Sequence, residues 1–289
     1  MKKRQYNIAV MLPTHKRTDA LSRSIFSLIN LASDLTRIQF ILGVDNNDPI
    51  GQEHFINAIQ PEFDRLDINY EVLEFEPLGY TGLNVYYNTL ATRADADWLM
   101  VWCDDAIMST QGWDDRISEC TGEFKLLKVH THNEHPYSIF PILPAEWVEL
   151  RGCYSKHQLI DSENSHIAYY LDVMKIIEVA VTHDRADLTG NNKDETSSAK
   201  SKIVLEGNPN DPRDFHHNTF QTIRLESADQ LSQYMKTKNL DTTWWENCKA
   251  GKQDPWVKMR ENDPNNQTHA FSMIKNFRGK LQLVRNDSV

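Results

Sequence analysis

The sequence has few cysteines, a shortage of basic residues and no long apolar run. Its four cysteines are scattered through 289 residues without a C-x-x-C pair, which argues against a zinc ribbon and against a disulfide framework. Acidic residues outnumber basic ones by 41 to 31, for a formal net charge of −10. We therefore expect no nucleic-acid partner, because phosphate backbones are bound by clustered Lys and Arg.

Segments typical of membrane insertion or secretion are also missing. No apolar run approaches the roughly 18 residues that a membrane span requires, and the start, MKKRQYNIAVMLPTHKR, becomes polar too early for a secretory signal. Together with the scattered cysteines, these features predict a cytoplasmic protein without a membrane span. A length of 289 residues with 40% hydrophobic residues is enough for one large α/β domain or for a domain with an appendage.

The order of apolar segments predicts an α/β fold. Four runs are predicted to be strands: 7–14, 37–44, 68–75 and 97–103. Helices are predicted between them, at 19–32, 51–59 and 83–94. Beyond residue 120 we predict strands at 124–131, 136–143 and 176–184, helices at 144–150 and 165–174, and a mobile polar loop region at 185–215. This alternation implies a mainly parallel sheet whose ligand crevice lies at the carboxyl ends of the strands.

Polar residues directly follow three of the predicted strands. The first ends in Pro-Thr-His-Lys-Arg at 13–17, the second in Asp-Asn-Asn-Asp at 45–48, and the fourth in Asp104 and Asp105. Two adjacent carboxylates at the end of a buried strand raise each other's energetic cost unless a cation neutralises them. The convergence favours a metal site over the simpler interpretations, in which the Asp pair caps a turn or helix and Asp45 forms an Asx-turn.

The ordered segments resemble those of the GT-A nucleotide-sugar glycosyltransferases, in particular the family 2-like group. The resemblance is carried by IAVMLPTHKR with its following helix, ILGVDNND, an Asn-bearing helix, and WLMVWCDD followed by GW. It covers roughly residues 6 to 185. It implies a GT-A, Rossmann-like catalytic domain at residues 1–185, with a C-terminal extension of loops and helices at 186–289 that we expect to pack on the same domain.

The resemblance implies roles for residues in the nucleotide-binding half of the site. Four residues at the end of the first strand match nucleotide-contacting positions: Pro13, Thr14, His15 and Arg17. Asp45 matches the acid that accepts a hydrogen bond from a pyrimidine N–H, which favours UDP over other nucleotides. Asn88 matches the Asn of the family's R-N-x-x-x-A helix, with Tyr87 in place of the usual Arg.

A divalent metal is the cofactor that the resemblance implies. The run Cys103, Asp104 and Asp105 matches the family's D-x-D stretch, with a cysteine in place of the first acid. Asp105 then corresponds to the metal ligand, Asp104 to a ribose or diphosphate contact, and His183 to a further metal ligand from a late strand. Mn²⁺ or Mg²⁺ would bridge the two phosphates and stabilise the departing nucleoside diphosphate, and the imidazole favours Mn²⁺ modestly.

The base of an inverting transfer is expected near the start of a later helix. Asp161 matches this position by order, and Glu163 is the alternative; a retaining reaction without a protein base stays open. The sequence therefore predicts a metal-dependent glycosyltransferase with a nucleoside-diphosphate sugar donor and an unidentified hydroxyl acceptor, and gives no signal for oligomeric state. One alternative is a catalytically inert nucleotide-sugar-binding protein. The other, a sugar nucleotidyltransferase, lacks support because LPTHKRTDAL contains no glycine loop for a triphosphate.

Overall fold

We describe the protein from a computed structural model, which covers residues 3–131, 135–184 and 217–262 with their side chains and residues 271–275 and 281–285 as backbone strands. Eight strands form one sheet: β1 (Tyr6–Thr14), β2 (Ile38–Asp45), β3 (Asn69–Phe75), β4 (Ala96–Val101), β5 (Ala106–Met108), β6 (Leu126–Thr131), β7 (Ile142–Pro144) and β8 (Met174–His183). Two further strands, β9 (Phe271–Lys275) and β10 (Leu281–Arg285), pair antiparallel with each other. The predicted loop region at 185–215 lies outside the described residues.

The large sheet has the order β3-β2-β1-β4-β7-β6-β8-β5. Strands β3, β2, β1 and β4 run parallel to one another, and β6 runs parallel to β8. Strand β7 is antiparallel to both β4 and β6, and β5 is antiparallel to β8. All eight residues of β2 are buried, as expected for a parallel strand covered on both faces. The predicted α/β fold with a mainly parallel sheet is confirmed.

Helices cover both faces of this sheet. They are α1 (Thr18–Leu31), α2 (Pro49–His54), α3 (Gln60–Arg65), α4 (Leu83–Ala91), α5 (Trp113–Ser118), α6 (Ala145–Arg151), α7 (Ile160–Leu171), α8 (Asn218–Thr237), α9 (Thr243–Lys249) and α10 (Trp256–Glu261). Helix α1 buries Leu21, Ile25 and Leu28, the stripe that its three- and four-residue spacing predicts. Among the described helices, none has both the length and the apolar character needed to cross a bilayer.

Three of the predicted elements have different bounds in the structure, and the short strand β5 was not predicted. Helices α2 and α3 are joined by a π-helical turn, Phe55–Ile59, so the helical segment predicted at 51–59 is longer than expected. Only the end of the strand predicted at 136–143 forms, as β7, because the backbone before it bonds to side chains: Ser138 N–H donates to Ser165 Oγ at 2.9 Å. Helix α7 begins at Ile160 rather than near residue 165.

Successive side chains of β1 pack into two hydrophobic clusters, one on each face of the sheet. Ala9 and Met11 join a cluster that includes residues of α4, α6 and α7, whereas Ile8, Val10 and Leu12 join one that includes residues of α1. Both faces are thus covered, and the carboxyl ends of the central strands stay available for polar side chains.

The helices α8, α9 and α10 pack against the same body as the sheet. Trp245 and Trp256 are buried in the cluster shared with α7, and Trp244 Nε1 donates to the Tyr169 carbonyl at 3.1 Å. The division of the chain into a catalytic domain at 1–185 and an extension at 186–289 stays a prediction.

Candidate active site

The carboxyl ends of β1 and β4 bring Thr14 and the acidic pair together. Trp102 N–H donates to the Met11 carbonyl at 2.9 Å, which continues the β1–β4 pairing to the last residue before Cys103. Thr14, the last residue of β1, donates from Oγ1 to Asp104 Oδ2 at 2.9 Å. Pro13, one residue earlier, lies opposite Gly43 of β2. The predicted convergence of strand ends is thus present as a direct hydrogen bond.

Arg17 forms ion pairs with both acids, Asp104 and Asp105. Its Nη1 is 2.9 Å from Asp104 Oδ1 and 3.1 Å from Asp105 Oδ2. All three side chains are largely buried, so this guanidinium supplies the positive charge that two adjacent carboxylates need. The resemblance places Arg17 among the nucleotide contacts, and sequence reasoning missed its pairing with the acids.

The two acids differ in their protonation equilibria. Burial raises the pKa of Asp104 to about 6, with Asp105 adding to the increase and Arg17 and Thr14 opposing it. Burial also acts to raise the pKa of Asp105, but contacts with His183, Cys103 and Arg17 outweigh it and hold that pKa well below its usual range. Of the two carboxyl groups, Asp105 therefore stays ionised to lower pH, and a metal ligand must be ionised.

Strand β5 brings His183 to Asp105. Ala106 pairs with His183 across the β5–β8 ladder, and Asp184 N–H donates to the Asp105 carbonyl at 2.7 Å. As a result His183 Nε2 lies 3.3 Å from Asp105 Oδ1. The two residues predicted as metal ligands are thus neighbours, although the three-residue strand that joins them carries too few residues to show a period in the sequence.

A third side chain, Cys103, completes a potential metal-binding group. One ligand atom from each of Cys103, Asp105 and His183 lies within 4.8 Å of the other two, and Cys103 Sγ is 4.0 Å from His183 Nε2. Burial and the adjacent carboxylates raise the pKa of the Cys103 thiol well above its usual value. A carboxylate, an imidazole and a thiol form a donor set that fits a divalent metal ion.

Asp45, at the end of β2, is held between His15 and Tyr86. Its Oδ1 accepts from Tyr86 Oη at 2.5 Å, and its Oδ2 is 3.0 Å from His15 Nδ1. Burial, followed by the bond to Asp45, raises the pKa of Tyr86 to about 12. Tyr86 Oη also accepts from Leu78 N–H at 2.9 Å. Sequence reasoning missed Tyr86, although its neighbours in α4, Tyr87 and Asn88, match positions of the R-N-x-x-x-A helix.

Asn88 and Tyr87 bond to the protein backbone. Asn88 Oδ1 accepts from the N–H groups of Tyr154 and Ser155, at 2.8 and 3.0 Å, and its Nδ2 donates to the Ser155 carbonyl at 2.7 Å. Tyr87 Oη donates to the Trp102 carbonyl at 2.6 Å. Asn88 therefore fixes the 154–155 segment, and its predicted contact with the nucleotide stays a prediction.

The two candidate bases lie in different environments in the first turn of α7. Glu163 is buried, pairs with Arg151, and accepts from Ser155 Oγ at 2.9 Å and from His157 N–H at 2.8 Å. Asp161 is partly exposed and accepts from Ser162 N–H at 2.8 Å. Glu163 is thus committed to the 155–157 loop, whereas the bonds of Asp161 to the described residues use only Oδ1.

Comparison with known proteins identifies the fold. No protein-family model and no curated protein sequence matches the chain. The mannosyltransferase PcManGT from Pyrobaculum calidifontis, solved with GDP-Man and Mn²⁺, superposes with a TM-score of 0.54 at 10% identity over 92% of this chain and 89% of that chain. TarS 1-349 from S. aureus superposes with a TM-score of 0.50 at 11% identity over 98% and 97%. The complex of TarS 1-349 with UDP gives a TM-score of 0.50 at 12% identity, again over 98% and 97%. The chain therefore has the GT-A fold of these structures.

Proposed function

We propose that the protein is a metal-dependent glycosyltransferase that transfers a sugar from a nucleoside-diphosphate sugar to an acceptor hydroxyl. The observation that carries this proposal is the contact of Asp105 with His183 at the carboxyl edge of the sheet, beside Thr14 and Arg17. These side chains lie where ligands bind in open α/β sheets. The fold shared with PcManGT, a mannosyltransferase solved with GDP-Man and Mn²⁺, supports the same activity.

The metal site would act on the leaving group. Asp105 and His183 would hold Mn²⁺ or Mg²⁺, which when bound stabilises the negative charge of the departing diphosphate. Arg17 pairs with Asp104 and Asp105, and its positive charge would add to the stabilisation of the diphosphate. Asp104, which is engaged with Thr14 and Arg17, would orient the donor through hydrogen bonds rather than bind the metal.

Asp45 and His15 would bind the base at the nucleotide end of the donor. An ionised carboxylate has about four acceptor positions, and the contacts with Tyr86 and His15 use two of them. A remaining position would accept the N–H of a uracil ring, which makes UDP the preferred nucleotide. The complex of TarS with UDP on the same fold supports this choice. The half-buried His15 imidazole would stack against the base.

We assign Asp161 as the general base of an inverting transfer, ahead of Glu163. Glu163 is buried and bonded to Arg151, Ser155 and His157, so removing a proton from an acceptor would require breaking an existing bond. Asp161 is partly exposed at the start of α7 and accepts there from Ser162 N–H. The helices after residue 217, packed on α6 and α7, would form part of the acceptor side as the proposed C-terminal extension.

The proposal is tested by calorimetric titration with UDP, GDP and CDP, each with and without Mn²⁺. We expect UDP to bind more tightly when Mn²⁺ is present, and Asp105→Asn to remove the effect of the metal. Asp64→Asn is the matched control, because Asp64 is an exposed acid that accepts from Tyr70 Oη. If no nucleotide binds under any condition, or if Asp105→Asn binds UDP and Mn²⁺ as the wild type does, the proposal is wrong.

A binding protein without turnover is the second candidate. It is favoured by Cys103 and Tyr87, which stand where the resembled family has an acid and an Arg. The two candidates differ in donor hydrolysis, which a glycosyltransferase performs slowly without an acceptor. Metal-stimulated release of UDP from UDP-sugars by the wild type, lost in Asp105→Asn, would support the enzyme. Tight binding of UDP without any release of product would support the binding protein.

A further inference from the structure

We infer that Cys103 is the third protein ligand of the metal site and that its sulfur makes the site selective for zinc-class cations over Mg²⁺. The inference rests on the proposed function only in placing a metal at Asp105 and His183. It extends that function by adding a ligand and by naming the chemical class of the preferred ion. The evidence is the position of the thiol, the backbone that fixes it, and the ligand chemistry of sulfur.

The three ligand atoms lie near the separations that a small tetrahedral ion requires. Zinc bonds of about 2.0–2.1 Å to nitrogen and oxygen and about 2.3 Å to sulfur separate N from O by about 3.3 Å and N from S by about 3.6 Å. His183 Nε2 is 3.3 Å from Asp105 Oδ1 and 4.0 Å from Cys103 Sγ. All three ligand atoms lie within 4.8 Å of one another, so side-chain rotations that bring the thiol closer to the other two would allow one ion to bind all three.

The backbone holds Cys103 in place for this role. Its carbonyl accepts from Ser24 Oγ of α1 at 2.9 Å and from Ala106 N–H at 3.1 Å. These bonds anchor the tight turn between β4 and β5, and Ser24 Oγ is itself held by Trp102 Nε1 at 2.8 Å. The thiol is thus presented by a fixed turn that is attached to the core.

Of the two acids in this turn, Asp104 contacts Arg17, whereas Asp105 contacts Arg17 and would also bind the metal. Asp104 bonds to Thr14 and Arg17. Asp105 contacts Arg17 through Oδ2 and His183 through Oδ1. A metal at Oδ1 therefore leaves the contact with Arg17 in place. Three protein ligands leave a fourth position for a water molecule or a phosphate oxygen, which is the arrangement of catalytic rather than structural zinc sites.

Sulfur changes which metal the site prefers. Thiolate ligands select zinc and other softer ions, whereas Mg²⁺ takes oxygen ligands and keeps its waters. On coordination the metal replaces the thiol proton, which is released to solvent. The site should thus bind Zn²⁺ and Co²⁺ most tightly, Mn²⁺ less tightly and Mg²⁺ least.

The test is a titration of the full chain with CoCl₂, followed by absorption spectroscopy. We expect a sulfur-to-cobalt charge-transfer band in the near ultraviolet that Zn²⁺ removes by competition. Cys103→Ser should lose the band and weaken Zn²⁺ binding by more than the roughly 100-fold that loss of an outer-shell partner can cost. Cys153→Ser is the control, because Cys153 is another partly buried free thiol, and it should keep the band.

A second variant keeps the inference testable if Cys103→Ser folds poorly. Cys103→Asp supplies an oxygen ligand at the same position, and we expect it to lose the cobalt band while its preference shifts from Zn²⁺ toward Mn²⁺ and Mg²⁺. A charge-transfer band that survives in both variants, or a wild type that binds Co²⁺ without the band, would overturn the inference. The proposed function fails separately: a cobalt band without any UDP binding contradicts the glycosyltransferase, not the cysteine ligand.

Discussion

At the scale of single residues, the two adjacent acids have different neighbours. Asp105 faces His183 and Cys103, whereas Asp104 faces Thr14 and Arg17. The match to the D-x-D stretch assigns Asp105 to the metal and Asp104 to the ribose or diphosphate, and these roles stay predictions. The sequence could not predict that Arg17 pairs with both acids, because a residue 87 positions away along the chain becomes a neighbour only through strand pairing.

The asymmetry predicts unequal effects of substitution on metal binding. Asp105→Asn should abolish the stabilisation of the protein by Mn²⁺ and UDP, because the neutral amide is a poor ligand for a hard cation. Asp104→Asn should reduce it only several-fold, because the amide oxygen can still accept from Thr14. Thermal unfolding with and without Mn²⁺ measures both effects. Equal losses in the two variants would contradict the assignment of Asp105 as the ligand.

The raised pKa of Asp104 predicts a pH dependence of stability. Its value of about 6 in the folded protein lies above the usual 3.8, so between these pH values the folded state binds more protons than the unfolded state, and stability falls as pH rises. Relative to Asp104→Asn, the wild type should lose about 2 kcal/mol of unfolding free energy between pH 4 and pH 7. Urea unfolding of both proteins at several pH values measures how the free energy of unfolding changes with pH. A wild type that gains stability over Asp104→Asn in this range would show that the shift has the opposite sign.

At the scale of elements, the sequence was most informative where a segment is long and periodic. Helix α1 and strands β1, β2 and β4 follow from their patterns, and their polar ends lie together as predicted. The three-residue strand β5 was missed because so short a run has no period, yet its pairing with β8 brings His183 to Asp105. Tyr86 was missed for a different reason: its bond to Asp45 depends on how α4 packs on the sheet, which no local pattern encodes.

The loop before α7 depends on a buried ion pair. Arg151 and Glu163 are fully buried partners, and Glu163 also accepts from the backbone of Lys156 and His157. Arg151→Met should destabilise the protein by about 3–5 kcal/mol, because Glu163 would remain as a buried charge without its partner. Arg65→Met, which removes an exposed partner of Glu62, should change stability little. Urea unfolding of both variants gives the comparison, and similar losses in the two would be inconsistent with a structural role for the buried pair.

At the scale of the whole molecule, the helices after residue 217 complete the hydrophobic core. Trp245 and Trp256 are buried in the same cluster as residues of β1, α4 and α7. The sequence showed a tryptophan-rich C-terminal stretch but could not show which face it covers, since packing partners far apart in the chain leave no shared local pattern. The core explains why we expect these helices to belong to the same cooperative unit as the sheet.

This shared core predicts a single unfolding transition. Trp256→Ala should lower the stability of the whole protein by about 3–5 kcal/mol, because it removes a fully buried large side chain. Leu240→Ala is the control, since Leu240 is 41% exposed and should have a small effect. Calorimetry is the measurement: one transition that shifts to lower temperature is expected in Trp256→Ala. Two transitions, of which only one shifts, would show that these helices unfold as a separate unit.

The site described above is also assembled from distant parts of the chain, and this has a kinetic consequence. The bond from Thr14 to Asp104 spans 90 residues, that from Arg17 to Asp105 spans 88, and the contact of Cys103 with His183 spans 80. Each contact requires the closure of a long loop, whose entropy must be lost before the contact can contribute. During refolding, metal-dependent nucleotide binding should therefore appear late, after helix formation, so that ligand binding reports the completed fold rather than any partly folded intermediate.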